Sequence, residues 1–304
     1  MAERQTFKTE YSVVSDIGKI RTNHEDNFLT PEGQSIGINE INTDNPRIEF
    51  GGRIIIKYCD FAHCAVADGM GGHKAGEIAS SLAVSGLKGF LPTSSALKKT
   101  VSEYTETVAK INSDINEYGQ KNGECSNLGS TFSGVIVYCN KIVAVNVGDS
   151  RVYVYNDNNL KRLTKDHTEG QMLVDLGVLT DEDVDSLKTK NGLTRYLGMG
   201  DVSAGGLCFV SDALNIKDSD IYLICSDGLT GCVSDGQIAE ILSGYGGKSL
   251  KDICNRLTEK AFDESLGRRA GHDNITIILL RFASVPDEGK ERKSFFGKLF
   301  GKKR

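Results

Sequence analysis

The stretch Ala65-Val66-Ala67-Asp68-Gly69-Met70-Gly71-Gly72-His73 decides how this chain is read. An apolar run over residues 61–67 drives into an acid and a cluster of glycines, and a helical pattern follows from Ala75. Strand, acidic turn, helix is the order that puts a carboxylate at the rim of a sheet, where glycine lets the turn backbone approach a ligand. By itself, Asp-Gly after a strand is an ordinary turn. The device recurs along the chain, each time with an acid. Glu25-Asp26 precedes a strand, Gly148-Asp149-Ser150-Arg151 follows residues 142–147, Ser226-Asp227-Gly228 follows 221–225, and Asp273-Asn274 directly precedes 275–280.

Should these five ends meet at one edge of the sheets, several carboxylates would converge. Ionised carboxylates repel, so such crowding persists only where cations neutralise it. The donor set is all oxygen, with no Cys and no paired His, which suits hard, roughly octahedral ions such as Mg²⁺ or Mn²⁺ and not zinc. The competing reading is that five unrelated turns use Asp for its turn chemistry. That reading leaves Arg21 and Glu25 without a role.

Around these sites the pattern is mixed. Residues 10–17 read as a strand, 31–52 as a loop or irregular hairpin, and 53–58 and 61–67 as two strands paired around a Cys59-Asp60 turn. Apolar recurrence at Ile78, Leu82 and Leu87 predicts a buried helix over 75–90, broken by Pro92. A stripe from Leu97 through Val101, Tyr104, Val108 and Ile111 to Ile115 predicts a second over 96–118. Four short strands follow (131–138, 142–147, 151–155, 160–163), then a charged excursion over 168–194 with helical pieces at 171–176 and 181–187. Strands at 207–210 and 221–225, helices at 235–242 and 249–266, and a strand at 275–282 complete the body. Strands in runs with helices in pairs favour α+β layering over a βαβ doubly wound sheet.

Composition narrows the function classes. The chain has 304 residues, 39% hydrophobic and 25% charged, an ordinary globular balance. No apolar run approaches the ~18 residues of a membrane span, and the first residues lack the apolar core of a secretory signal, so a cytoplasmic protein is expected. The eight cysteines are scattered without a Cys-x-x-Cys pair, which reads as reduced thiols. The net charge of −5 hides an asymmetry: residues 290–304 carry seven Lys or Arg against one Glu, and the preceding 289 residues carry 29 bases against 40 acids. An acidic body argues against nucleic-acid binding. The tail reads as a solvated end, with contact to a membrane surface as the alternative.

In their order, these residues carry a resemblance. Gly18-x-x-Arg21-x-x-x-Glu25-Asp26, Ala67-Asp68-Gly69-Met70-Gly71-Gly72, Leu128-Gly129-Ser130-Thr131 and Val147-Gly148-Asp149-Ser150-Arg151 come first. Thr164-Lys165-Asp166-His167, Leu193-Thr194-Arg195-x-Leu197-Gly198, Ser226-Asp227-Gly228-Leu229 and Asp273-Asn274-Ile275-Thr276 follow. Over residues 8–284 the chain resembles the metal-dependent serine/threonine protein phosphatases of the PPM, or type 2C, family, and its bacterial branch most closely. The resemblance implies a four-layer α-β-β-α sandwich, two antiparallel β-sheets flanked by helix pairs. It implies one phosphatase domain over 1–284, with a flap at about 168–194, and a basic tail over 285–304.

Carried over residue by residue, the resemblance implies that Asp68 bridges two Mn²⁺ or Mg²⁺ ions and that the Gly69 carbonyl ligates one. Asp227 and Asp273 would ligate the other, Glu25 and Asp26 would hold metal directly or through water, and Asp149 would help form a third, weaker site. Arg21 would grip the substrate phosphate, as a planar bidentate donor should. Two such ions ~3.5–4 Å apart lower the pKa of a bridging water, and the hydroxide attacks phosphorus in line. Where eukaryotic members carry His after Asp-Gly, this chain has Met70, which leaves the general acid open; His73 is a poor substitute. Asp166 reads as the N-cap of the helical segment that follows it, and Arg195 as a structural residue. The partners implied are phosphorylated proteins, the substrates of a serine/threonine kinase, acted on by a monomer. Two rivals remain: a catalytically inactive binding module, disfavoured because Asp68, Asp227 and Asp273 are all present, and a hydrolase of small phosphate esters, which would need a closed pocket.

Overall fold

The computed structural model describes residues 5–285 apart from Cys59, 72–74, 124–126, 181–183, 185–191, Asp201, 245–246 and 268–269. His73, the second helical piece of the flap and the basic tail thus lie outside the described residues. Two antiparallel sheets form the centre. The first runs β3 (Arg47–Ile56), β1 (Thr6–Asp16), β13 (Ile275–Val285), β12 (Ile221–Cys225), β8 (Arg151–Asn156), β9 (Asn159–Arg162). The second runs β10 (Phe209–Val210), β7 (Lys141–Val147), β6 (Phe132–Tyr138), β4 (Ala62–Met70), β2 (Asp26–Leu29). Two short strands extend it, β11 (Leu214–Asn215) on β7 and β5 (Gly129–Ser130) on β4.

The period of two along each strand explains the layering. On β13, Ile278, Leu280 and Phe282 point between the sheets, where they meet Phe7, Tyr11, Phe28, Val66 and Val135. Ile277 and Leu279 point the other way, onto helices α6 (Asp235–Ser243) and α7 (Leu250–Ala261) through Ile238, Leu242, Ile253 and Leu257. A strand buried on both faces must be apolar throughout, and residues 275–280 are, but for Thr276. Helices α1 (Ala75–Ser85) and α2 (Leu97–Lys121) cover the outer face of the second sheet, with Ala79, Ala83, Tyr104, Val108 and Ile115 on Ala65, Ala67 and Ile136. The small residues of α1 let it lie close to β4. Three shorter helices, α3 (Glu169–Asp175), α4 (Ala204–Leu207) and α5 (Asp227–Thr230), sit in the connections. The α-β-β-α sandwich expected from the sequence is the observed architecture.

The helices expected over 75–90 and 249–266 end earlier, at Ser85 and Ala261, and three local differences concern the strands. Residues 53–56 and 62–67 are not paired with each other: β3 pairs with β1 and β4 with β2 and β6, in opposite sheets. Residues 47–52, read as loop, are the first half of β3, an edge strand whose Glu and Gly residues break the apolar alternation. Leu207 closes α4, so the strand expected over 207–210 is only Phe209–Val210. The six described cysteines are free thiols. Among the described residues no helix is long and apolar enough to cross a membrane.

Candidate active site

Register brings the acids together. At the end of the first sheet, Cys225 closes β12 opposite Arg151, which opens β8, while Asp16 closes β1 opposite Ile275, which opens β13. Asp149, Asp227, Asp273 and the loop 17–25 therefore leave from the same end. In the second sheet β4 runs out beside them, and Asp68 faces Asp26, the first residue of β2. Arg21, Glu25, Asp68, Asp149, Asp227 and Asp273 all line one cleft of about 850 Å³. The cleft is open: Arg21 and Asp273 are 46% and 42% exposed.

The backbone here is tightly held. The Asp68 N–H donates to Thr131 Oγ1 (3.0 Å), and the Asp68 carbonyl accepts from the Thr131 N–H (2.8 Å) and Ser130 Oγ (3.1 Å). The Gly69 N–H donates to the Glu25 carbonyl (3.0 Å), and a Cβ at Gly69 would stand 2.0 Å from the Gly76 carbonyl oxygen on α1. Only glycine fits between those two backbones, and this contact lets the end of β4 lie on α1; Asp68 and Gly69, read from sequence as a turn, are the two residues before the last of that strand.

Electrostatics are severe. Removal from bulk water, then the charges of Asp26, Asp227, Asp149 and Asp273, holds the Asp68 carboxyl well above the usual carboxylate range. Burial followed by Asp227 and Asp166 does the same to Asp149. Burial, then Asp273, raises Asp227, against a hydrogen bond shared with Asp68. Asp26 is pushed up to about 7, chiefly by burial, although Ser226 Oγ donates to its Oδ2 at 2.7 Å. Its Oδ1 is buried with no hydrogen-bond partner, a costly state for a carboxylate oxygen. Burial also raises Glu25, which Arg21 counters.

These features fit divalent cations. The donors are all oxygen, a buried carboxylate oxygen lacks a partner, and the carboxyls that crowd one another would be relieved by positive charge. Among the described residues no three acidic, His or Cys side chains already stand around one point as a finished ion cage. The Asp227 carboxyl lies close enough to Asp68 to interact with it, and Asp273 is drawn to Arg21, whose Nη2 lies 2.9 Å from Asp273 Oδ1.

The chain is similar to known proteins over most of its length. The sequence profile of protein phosphatase 2C matches residues 55–268. The serine/threonine phosphatase stp of Listeria monocytogenes is 32% identical over 269 residues, covering 88% of this chain and 93% of that protein. The chain belongs to the protein phosphatase 2C family. Among solved structures, the Mycobacterium tuberculosis serine/threonine phosphatase PstP/Ppp is 28% identical, with a TM-score of 0.68, covering 90% of this chain and 98% of that one. The catalytic domain of PstP in complex with two manganese ions is also 28% identical, with a TM-score of 0.66, covering 91% of this chain and 99% of that one.

Within this phosphatase, residues beyond the candidate ligands hold the centre. Asn274 is the most consequential: its Oδ1 accepts from the Glu25 N–H (2.8 Å), and its Nδ2 donates to the carbonyls of Ile17 (2.9 Å) and Asn23 (3.1 Å). One buried amide therefore fixes the loop that carries Arg21 against Asp273. His167 anchors the Asp149 turn, accepting at Nδ1 from the Gly148 N–H (3.2 Å) while its backbone N–H donates to the Gly148 carbonyl (2.9 Å). Both lie beside an acid in the motifs above, which was the available signal, but pattern alone does not tell a ligand from its support. Asp166 is not an N-cap: it receives Arg151 Nε and Nη2, at 3.1 and 2.7 Å, and Thr168 caps α3 by accepting from the Gln171 N–H. Arg151 is half-buried two residues from Asp149, and an ion pair with Asp166 there satisfies both charges better than a helix terminus would.

Proposed function

We propose that this chain is a phosphatase that hydrolyses phosphoserine and phosphothreonine on proteins, with two Mn²⁺ or Mg²⁺ ions at the carboxylate cleft. The observation that carries the reading is the gathering of Asp26, Asp68, Asp149, Asp227 and Asp273 at one sheet end, where burial and mutual repulsion hold four of them above their ordinary range. In this reading Asp68 would serve both ions, the Gly69 carbonyl would hold one of them, and Asp227 and Asp273 would hold the other. Glu25 and Asp26 would complete the set, and Asp149 would contribute to a third, weaker site. The ions would supply the charge that activates water and neutralises the phosphoryl oxygens.

The chain's own residues do the rest. Arg21, on an exposed loop at the cleft mouth, binds two phosphate oxygens through its planar fork. Asn274 keeps that loop in register with Asp273. Met70 lines the cleft and carries no transferable proton, so it is not the group that protonates the leaving oxygen. An open cleft suits a protein side chain better than a closed pocket would. The full ligand set favours the enzyme over an inactive binding module. We assign one domain to residues 1–284, whose last strand β13 runs one residue further to Val285, and a basic tail to the residues that follow, in a monomeric cytoplasmic protein that reverses the work of a serine/threonine kinase. The test is turnover of a phosphothreonine peptide with Mn²⁺, with Mg²⁺ and after chelation. Turnover that needs a divalent ion supports the reading; turnover unaffected by chelation refutes it.

A further inference from the structure

Arg21 faces its neighbours in two directions. Its Nη2 stands 2.9 Å from Asp273 Oδ1 and its Nη1 3.7 Å from Glu25 Oε2, both candidate metal ligands, while nearly half of the side chain is open to solvent at the cleft mouth. The other arginine close to the acids, Arg151, is committed elsewhere: Asp166 takes its Nε and Nη2, and its Nη1 donates to Tyr153 Oη at 3.1 Å. The Arg21 loop is pinned on either side of the residue, because Asn274 holds the carbonyls of Ile17 and Asn23. The Arg21 Cα therefore stays in place, and moving the guanidinium between the carboxylates and the cleft mouth requires only side-chain rotation.

We infer that Arg21 is a built-in counter-cation of the metal-free centre, competing with divalent ions for Asp273 and Glu25 and released toward substrate phosphate when they are taken. The inference rests on the metal reading above and adds a linkage to it. A group that binds the carboxylates in one state and phosphate in the other makes the two affinities depend on each other. Metal must displace an ion pair, so its apparent affinity is lowered by the strength of that pair. Once displaced, the guanidinium no longer has to break a contact to reach phosphate, so phosphate binds more tightly to the loaded protein than electrostatics of the ions alone would give.

The experiment is calorimetric titration of Mn²⁺ into the metal-free full chain, comparing wild type with Arg21→Ala, Arg21→Gln and Arg21→Lys. A partly exposed ion pair is worth about 1 kcal/mol or less, so Arg21→Ala and Arg21→Gln should bind the first Mn²⁺ about three- to fivefold more tightly than wild type. Arg21→Lys, which keeps a cation, should stay close to wild type. Added salt should shrink the difference, because the pair is exposed to screening. Titration of inorganic phosphate into the Mn²⁺-loaded proteins should show the reverse order, with Arg21→Ala and Arg21→Gln weakest. Unchanged or weaker Mn²⁺ affinity in the two neutral variants would overturn the inference and leave the metal reading standing. Failure of wild type to bind Mn²⁺ at all would remove both.

Discussion

Asp26, which opens β2, lies directly across the antiparallel pair from Asp68 on β4, so two carboxylates stand side by side at the end of the second sheet. Neither is placed there by packing needs. Asp26 takes one hydrogen bond from Ser226 and leaves its other oxygen unpartnered, and burial together with neighbouring acids raises both carboxyls. A pairing that costs stability in the metal-free chain has its explanation in a ligand that supplies positive charge.

Gly69 tests whether the strand end beside Asp68 is held by close backbone approach. Gly69→Ala should destabilise the chain by about 1–3 kcal/mol, since its Cβ would stand 2.0 Å from the Gly76 carbonyl and 2.6 Å from that of Glu25. Gly236→Ala in α6 meets nothing within 4 Å and should be neutral or stabilising by up to about 1 kcal/mol. Chemical denaturation of both variants checks the contrast.

His167 gives a pH dependence. Its imidazole is lowered to about 4, first by burial and then by Arg195, and its Nδ1 must be unprotonated to accept from Gly148. The unfolded chain binds this proton near pH ~6.5 and the folded chain only near 4. The group's contribution to stability is therefore complete above about 6.5 and is lost as pH falls toward 4, by at most about 1.4 kcal/mol per pH unit. His167→Gln keeps an acceptor without titrating. The stability difference between wild type and this variant should fall across that window; a difference independent of pH would contradict the assignment.

The reach of sequence reading can be seen in single residues. Asp68, Asp149, Asp227 and Asp273 were legible because each acid sits where an apolar run begins or ends, and antiparallel strands of similar length bring such ends together. The pairing of β3 was not legible. Residues 53–56 and 62–67 are close in sequence and both apolar, yet alternation says which face is buried and not which sheet a strand joins. The four-residue β2 is too short to show a period. Asp166 was misread because an N-cap is a local signal, whereas its partner Arg151 lies fifteen residues earlier and meets it only through β8 and β9.

Asp149 separates a turn residue from a ligand. Gly148 adopts φ +99° with Thr131 packed beneath it, so the turn is shaped without the Asp149 side chain. Asp149→Ala should keep two tightly bound ions and lower turnover by about tenfold or more. Counting ions by equilibrium dialysis and measuring turnover in the same preparation decides it. Two ions with near-normal activity would leave Asp149 as a turn residue only.

The central claim is that the converging carboxylates exist to hold the ions that drive phosphate hydrolysis. The most direct measurement is turnover of a phosphothreonine peptide by Asp68→Asn and Asp227→Asn at saturating Mn²⁺, alongside the thermal unfolding of each metal-free protein. Removing one charge relieves repulsion, so the metal-free variants should unfold at or above the wild-type temperature while turnover falls by at least about a hundredfold. Wild-type turnover in either folded variant would contradict the account.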